Sequence, residues 1–482
     1  MEIPRQGAHS YPAYAQKEDI LYITLLNHFR INTNRAQNYK KILIYAKKIV
    51  PLQPKKMKKV FISIFLMACM HAAAMDIDYR FSLRSGMIMP DGKVDATVGQ
   101  KGQWIGPSAG ADLAVTFAPG WQSLREWNGA RIGVGLSYWK IDCMRSGSND
   151  LLGHAIAPYA FAEIPFYAGP HFEIGIRPGV GCALLTKTYY NTATPEQQYN
   201  VLQASNINQS VGSIFNFYFP EELYFQFPLR DGWSLGLAAG WYHMSNGSIK
   251  QPNSGYNIFG GELSVRYRPV TGDGLQVTGE RATKEYGLEK LREKHCEIEF
   301  ALSGAARQVY YRDKQTFFCS EIQVAAYWRA HRIFRLGGGV DVFYDGAYYD
   351  RPTYFGKTYL SGATQADCWR VGVSIQPEFV MGHFTAGFHF GVYLYDPIKN
   401  REVSKDDTAA HSALWDSGQM PNKGVFYSYD LLKAGSAGYP DGWLYTQVAL
   451  RYRLPYHLFV HATMKAHLTK VEFVAAGLGV YL

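Results

Sequence analysis

From Asp76 onward the chain alternates apolar and polar residues in segments of about ten, the period of a strand with one apolar face. In the first segment Ile77, Tyr79, Phe81 and Leu83 alternate with Asp78, Arg80, Ser82 and Arg84, and Pro90-Asp91-Gly92 ends it. Further runs begin near Ile105, Ala130, Ala155, Phe172, Val211, Trp233 and Tyr256, then near Cys296, Phe318, Phe334, Trp369, Phe384, Leu444, Leu458 and Val471. The last run places Val474, Ala476, Leu478, Val480 and Leu482 on one face and stops at the final residue. About sixteen strands are predicted, all antiparallel and joined by polar turns.

Trp233 to Tyr267 is the most informative pair of runs. Trp233, Leu235, Leu237, Ala239 and Trp241 share a face, and the same parity puts His243 and Ser245 there too. In the return run Phe259, Leu263, Val265 and Tyr267 form the apolar face, Asn257 joins it, and Glu262, Ser264 and Arg266 point the other way. A hairpin therefore brings a base, a hydroxyl and an amide together at its tip, where apolar residues give way to polar ones. That combination suits nucleophilic catalysis: Ser245 as nucleophile, His243 as its base and Asn257 to orient the base. Asn246 and the amides of the Gly247 turn are candidate donors to an oxyanion.

Composition decides what the apolar faces touch. The chain has 482 residues with 35 Tyr, 27 Phe and 47 Gly, and outside its N-terminal region no apolar run is long enough for a spanning helix. Twelve of the 49 Lys and Arg and three of the 40 acids lie in residues 1–59, so that stretch carries the whole formal excess of +9 and the rest is neutral. Nucleic-acid binding is set aside on that ground. Met57-Lys58-Lys59 and the apolar stretch after it read as a secretory signal over residues 57–74, cleaved near Ala74, with residues 1–56 an upstream extension from a misassigned start.

A secretory signal, alternating strands, aromatic strand ends and a terminal strand intact to the last residue together indicate an outer-membrane β-barrel. The expectation is one closed barrel of about sixteen strands; an eight-stranded barrel followed by a second β unit satisfies the same count. The domains are then 75–270, carrying the candidate site, a charged connector over 271–294, and a second half over 295–482, with a long polar loop at 396–441. Six Cys show no metal-binding or disulfide spacing. His457, His461 and His467 share a parity expected to face the lumen, spaced too widely to hold one ion.

The segment HMSNGSIKQPNSGYN, His243 to Asn257, resembles the active-site region of the lipid A 3-O-deacylase (PagL-like) family, also described as acyloxyacyl hydrolases. The resemblance is specific over about thirty residues and looser from Asp76 to Arg268; the remainder looks like the long variety of the family. It implies a serine hydrolase on the lipid-facing wall of an outer-membrane barrel in a Gram-negative bacterium. The implied substrate is the lipid A of lipopolysaccharide, among the other outer-membrane lipids, and no metal or cofactor is implied. It implies His243 as base, Ser245 as nucleophile and Asn246 in the oxyanion hole. The family's third catalytic residue is a Glu, and Asn257 stands in its place. Glu262, the nearest carboxylate, has lumen parity, which only a bulge at Gly260-Gly261 would reverse.

Overall fold

The computed structural model describes residues 76–269, 296–397 and 444–482, less short loop stretches at 91–96, 100–101, 119–121, 196–206, 309–315, 332, 350–363 and 468–469. The upstream segment, the signal and the connector lie outside the described residues, as does the polar loop from residue 398 on.

Sixteen strands are present among the described residues, and they close as two barrels of eight. The first consists of β1 (Asp76–Ile88), β2 (Ile105–Ala118), β3 (Arg131–Lys140), β4 (His154–Ala168), β5 (Glu173–Leu185), β6 (Phe215–Pro228), β7 (Trp233–Ser245) and β8 (Tyr256–Tyr267). The second consists of β9 (Cys296–Gln308), β10 (Thr316–His331), β11 (Phe334–Asp345), β12 (Trp369–Met381), β13 (Phe384–Tyr395), β14 (Leu444–Arg453), β15 (Leu458–His467) and β16 (Lys470–Tyr481). Consecutive strands pair antiparallel, β8 returns to β1 through Phe81 opposite Val265, and β16 returns to β9 through Leu302 opposite Leu478. Among the described residues no strand edge is left unpaired, which is what a hydrocarbon surround demands of backbone polar groups. Of the two closures expected, the single sixteen-stranded barrel is not formed, and the eight-stranded barrel followed by a second β unit is, the second unit being itself a closed barrel of eight.

The contents of each lumen give the physical reason. Eight strands enclose just enough space for side chains, whereas sixteen enclose water. In the first barrel Arg84 sits at the centre, 2.9 Å from Glu262, 2.8 Å from Glu222 and 3.1 Å from Asp112, and Arg177 lies 2.6 Å from Glu222 and 3.0 Å from Glu163. The second repeats the scheme with other residues: Arg335 lies 2.5 Å from Glu299 and 2.6 Å from Glu378, and Arg370 lies 2.5 Å from Glu472. All of these groups are buried, and a buried charge persists only when it is paired. The outer walls are the reverse, with Tyr79, Phe81, Leu83, Leu237 and Leu263 in the first barrel and Phe300, Leu302, Phe388 and Leu478 in the second exposed to the surround. Apolar outside and ionic inside is the pattern of a barrel solvated by lipid.

Two local expectations are revised. The run expected from Val211 begins as a single bridge between Val211 and Asn253, and its strand proper starts at Phe215. His461 and His467 are buried in the lumen, His467 against Glu472 at 3.1 Å, but His457 sits exposed in the β14–β15 turn at φ 60°. A turn there must reverse the chain, so His457 leaves the strand parity. The described residues contain no cluster able to hold a metal ion, and Cys143, Cys182, Cys296, Cys319 and Cys368 are all free.

The two ends of each barrel differ. In the first, the β4–β5 and β6–β7 connections span only residues 169–172 and 229–232, while β5–β6 takes residues 186–214 and β7–β8 residues 246–255. Short turns face the periplasm and long loops the outside in barrels of this kind. The β7–β8 tip therefore lies at the outer end.

Candidate active site

β7 and β8 pair in the register that the alternation predicts, with Trp241 opposite Phe259 and His243 opposite Asn257, and no bulge interrupts the ladder. The unbroken register keeps Glu262 inside, bound to Arg84 and Arg177, and keeps His243, Ser245 and Asn257 on the outer wall. His243 Nε2 lies 2.8 Å from Ser245 Oγ, and His243 Nδ1 lies 2.8 Å from Asn257 Oδ1. A serine two residues along the same strand face and an amide directly across the ladder are within reach because strand geometry places them there.

A fourth residue fixes how this chain of groups is wired. Trp241 donates its indole N–H to Asn257 Oδ1 over 3.1 Å. An indole N–H can only donate, so the amide atom that it meets is the oxygen. That oxygen can only accept, so Nδ1 of His243 carries the ring proton and Nε2 keeps its lone pair for the Ser245 hydroxyl. The neutral ring is thus held in the tautomer that a general base requires. Sequence reading placed Trp241 on the right face but gave it only an apolar role; its parity was the available signal, and its bond to Asn257 was not.

Aromatic rings enclose the base. Phe219 of β6 faces His243 at 6.2 Å between centroids with the planes 26° apart, and the Trp241 ring, two residues back along β7, lies 5.4 Å away. Ser245 is 3 % exposed. Its hydroxyl is therefore sheltered from water beside an apolar wall, an arrangement that strengthens every electrostatic contact made there.

The turn beyond Ser245 is built by Asn246. Its side-chain Nδ2 donates to the Lys250 carbonyl at 2.8 Å, its Oδ1 accepts the Lys250 N–H at 3.2 Å, and its own N–H donates to Asn253 Oδ1 at 2.8 Å. The Asn246 side chain is therefore engaged inside its own turn. Gly247 and Ser248 follow at φ 62° and 66°, two left-handed residues in succession, a conformation that costs Gly nothing. Gly255 closes the turn at φ 72°, where a Cβ would stand 2.9 Å from the Cβ of Ser245 and 2.4 Å from the Met244 carbonyl oxygen. Only a residue without a side chain lets the returning chain pass so close to the serine.

Two family models match the chain. The family described as lipid A 3-O-deacylase (PagL) matches residues 109–266, and that described as acyloxyacyl hydrolase, C-terminal domain, matches residues 296–405. The chain belongs to the lipid A 3-O-deacylase family. The PagL match runs from within β2 to the end of β8 and so contains the whole candidate site, while the C-terminal match begins at the first residue of β9. Among solved structures, the outer-membrane enzyme PagL is 16 % identical over 40 % of this chain and 99 % of its own, with a TM-score of 0.23. Neisserial surface protein A is 12 % identical over 40 % of this chain and 96 % of its own, again with a TM-score of 0.23. A mutant Rh. blastica porin is 9 % identical over 84 % of this chain and 100 % of its own, with a TM-score of 0.16. No curated protein matches the sequence.

Proposed function

We propose that this member of the PagL family is an outer-membrane serine esterase that removes an ester-linked acyl chain from lipid A or a similar acylated glycolipid. The observation that carries the reading is the hydrogen-bonded series Ser245, His243, Asn257, set on the lipid-facing wall rather than in the lumen. A base, a nucleophile and an amide set into the outward face of the wall have no folding purpose there, since polar groups on that face cost free energy. The site also lies at the long-loop end of the barrel, in the leaflet that holds lipid A.

In this scheme Ser245 attacks the acyl carbonyl while His243 Nε2 takes its proton. Nδ1 stays bonded to Asn257, which steadies the ring as it becomes cationic. The oxyanion falls to the Gly247 amide, in a turn that Asn246 holds in shape, so both residues serve the oxyanion hole, one by donating and one by positioning. His243 then returns the proton to the departing sugar oxygen, and water repeats the sequence to free Ser245. Asn257 accepts the Nδ1 proton as a carboxylate would but brings no charge to the imidazolium. Slower turnover than a carboxylate would give follows. The scheme needs neither metal nor cofactor.

Mass spectrometry of lipid A from cells expressing the chain from Met57, beside cells expressing Ser245→Ala, tests this. Loss of one hydroxyacyl mass in the first alone is expected. Unchanged lipid A in both, with the protein folded in the outer membrane, would leave a barrel without this activity and refute the reading.

A further inference from the structure

The β7–β8 turn is held from its far side by the second barrel. The Gln308 main-chain N–H donates to the Ser248 carbonyl at 2.8 Å. Gln308 Oε1 accepts the Gln251 N–H at 2.9 Å, Gln251 Nε2 donates to the Gln308 carbonyl at 3.3 Å, and Ser248 Oγ donates to the Val471 carbonyl at 2.9 Å. Packing is as close as the bonding: a Cβ on Gly247 would lie 2.4 Å from Val474 Cγ2. Ser248 and Gln308 are each 6 % exposed, so these bonds form out of water's reach and hold more firmly than surface bonds.

A second attachment lies at the opposite end of the barrels. Trp127, in the β2–β3 connection, donates its indole N–H to the Val380 carbonyl at 3.0 Å and meets the Phe379 ring edge-on at 5.7 Å. The second barrel thus meets the first at both ends, through Gln308 of β9 and Val471 of β16 at the outer end and through Phe379 and Val380 of β12 at the inner.

We propose that the second barrel is a working part of the hydrolase site, with Gln308 and Val474 as positioning residues that fix the turn carrying the Gly247 amide. The proposal rests on the serine-esterase reading. Donors to an oxyanion act only within about 2.7–3.1 Å of the charge that develops; Asn246 shapes the turn from within, and the bonds and packing of the second barrel hold it from outside. A misplacement of about 1 Å at such a site can cost up to 10²-fold in rate. Val474 closes the turn from the second-barrel side, and the Gln308 bonds set its height against the Ser245 hydroxyl.

Full-length variants test the proposal in detergent with an acylated glycolipid, in steady-state kinetics and by labelling with a fluorophosphonate probe for activated serine. Gln308→Ala, which keeps the main-chain bonds but removes the acceptor for the Gln251 amide, is expected to lower kcat about tenfold with KM unchanged. Labelling of Ser245 falls with it, and Gln308→Glu, which keeps the acceptor, restores most of both. Val474→Ala, which trims the packing against the Gly247 turn and leaves every hydrogen bond of the site in place, lowers kcat severalfold and decides the matter should Gln308→Ala not assemble. Wild-type kcat and labelling in the assembled variants would overturn the proposal, as would a loss confined to KM. Ser245→Ala separates the two readings. If it is inactive while Gln308→Ala and Val474→Ala turn over normally, only the positioning role falls. If it hydrolyses like the parent, the serine reading falls and the positioning role falls with it.

Discussion

The two barrels share a strand number, a pairing order and an ionic lumen, and they part company on the outer wall of their last hairpin. In β7–β8 His243 stands opposite Asn257; in β15–β16 Met464 stands opposite Val474 and Ala462 opposite Ala476. The second barrel shows that this architecture closes with apolar residues alone at those positions, Val474 against the Gly247 turn and Ala462 and Ala476 on the exposed outer wall. Folding therefore does not ask for His243, Ser245 and Asn257 in the first. Charge inside is a requirement of both barrels, whereas polarity outside is a feature of one, and that contrast separates structure from chemistry.

The largest effects are expected in the lumens, where the barrels are alike. Arg84→Ala would leave Asp112, Glu222 and Glu262 short of a buried partner, and Arg335→Ala would do the same to Glu299 and Glu378. Each should cost about 3–5 kcal/mol, read as a shifted midpoint in urea unfolding from vesicles. An effect in one barrel only would break the comparison.

On the outer wall the barrels should diverge. His243→Ala is expected to slow deacylation about a thousandfold, the usual range for loss of a general base, with unfolding unchanged. His461→Ala, in the second lumen, should leave the rate alone. Equal losses from the two would mean that the His243 effect is structural.

Asn257→Asp sharpens the point further. Asp keeps the oxygen where His243 and Trp241 both meet it and adds the charge that an amide lacks. A charge-assisted hydrogen bond is roughly twice as strong as a neutral one, and a gain of about tenfold in kcat is expected. A fall instead would show that the site is tuned to a neutral partner. The smallest effect belongs to Met464→His combined with Ala466→Ser, which writes the polar residues onto the second barrel. The change should cost no more than about 1 kcal/mol in stability, and because Val474 rather than an amide stands opposite Met464, leaving nothing to set the ring tautomer, Ser245→Ala in that background should remain inactive.

The strand period was enough to place nearly every strand within a residue or two, because alternation is imposed residue by residue by the lipid on one side and the packed lumen on the other. It was also enough to bring His243, Ser245 and Asn257 onto one face, since a hairpin with unbroken register has only two faces to choose from. The run at Val211 was misplaced because a lone bridge alternates no differently from a strand's first residues.

Contacts between distant segments were decided elsewhere. Whether sixteen strands close once or twice depends on β8 finding β1 and β16 finding β9, and alternation is identical in either closure. The Trp241 bond that fixes the His243 tautomer, the inward turn of the Asn246 side chain and the hold of Gln308 on the turn depend on side-chain direction and on packing between elements. Period fixes which face a residue takes; only the closed tertiary structure fixes what it meets there.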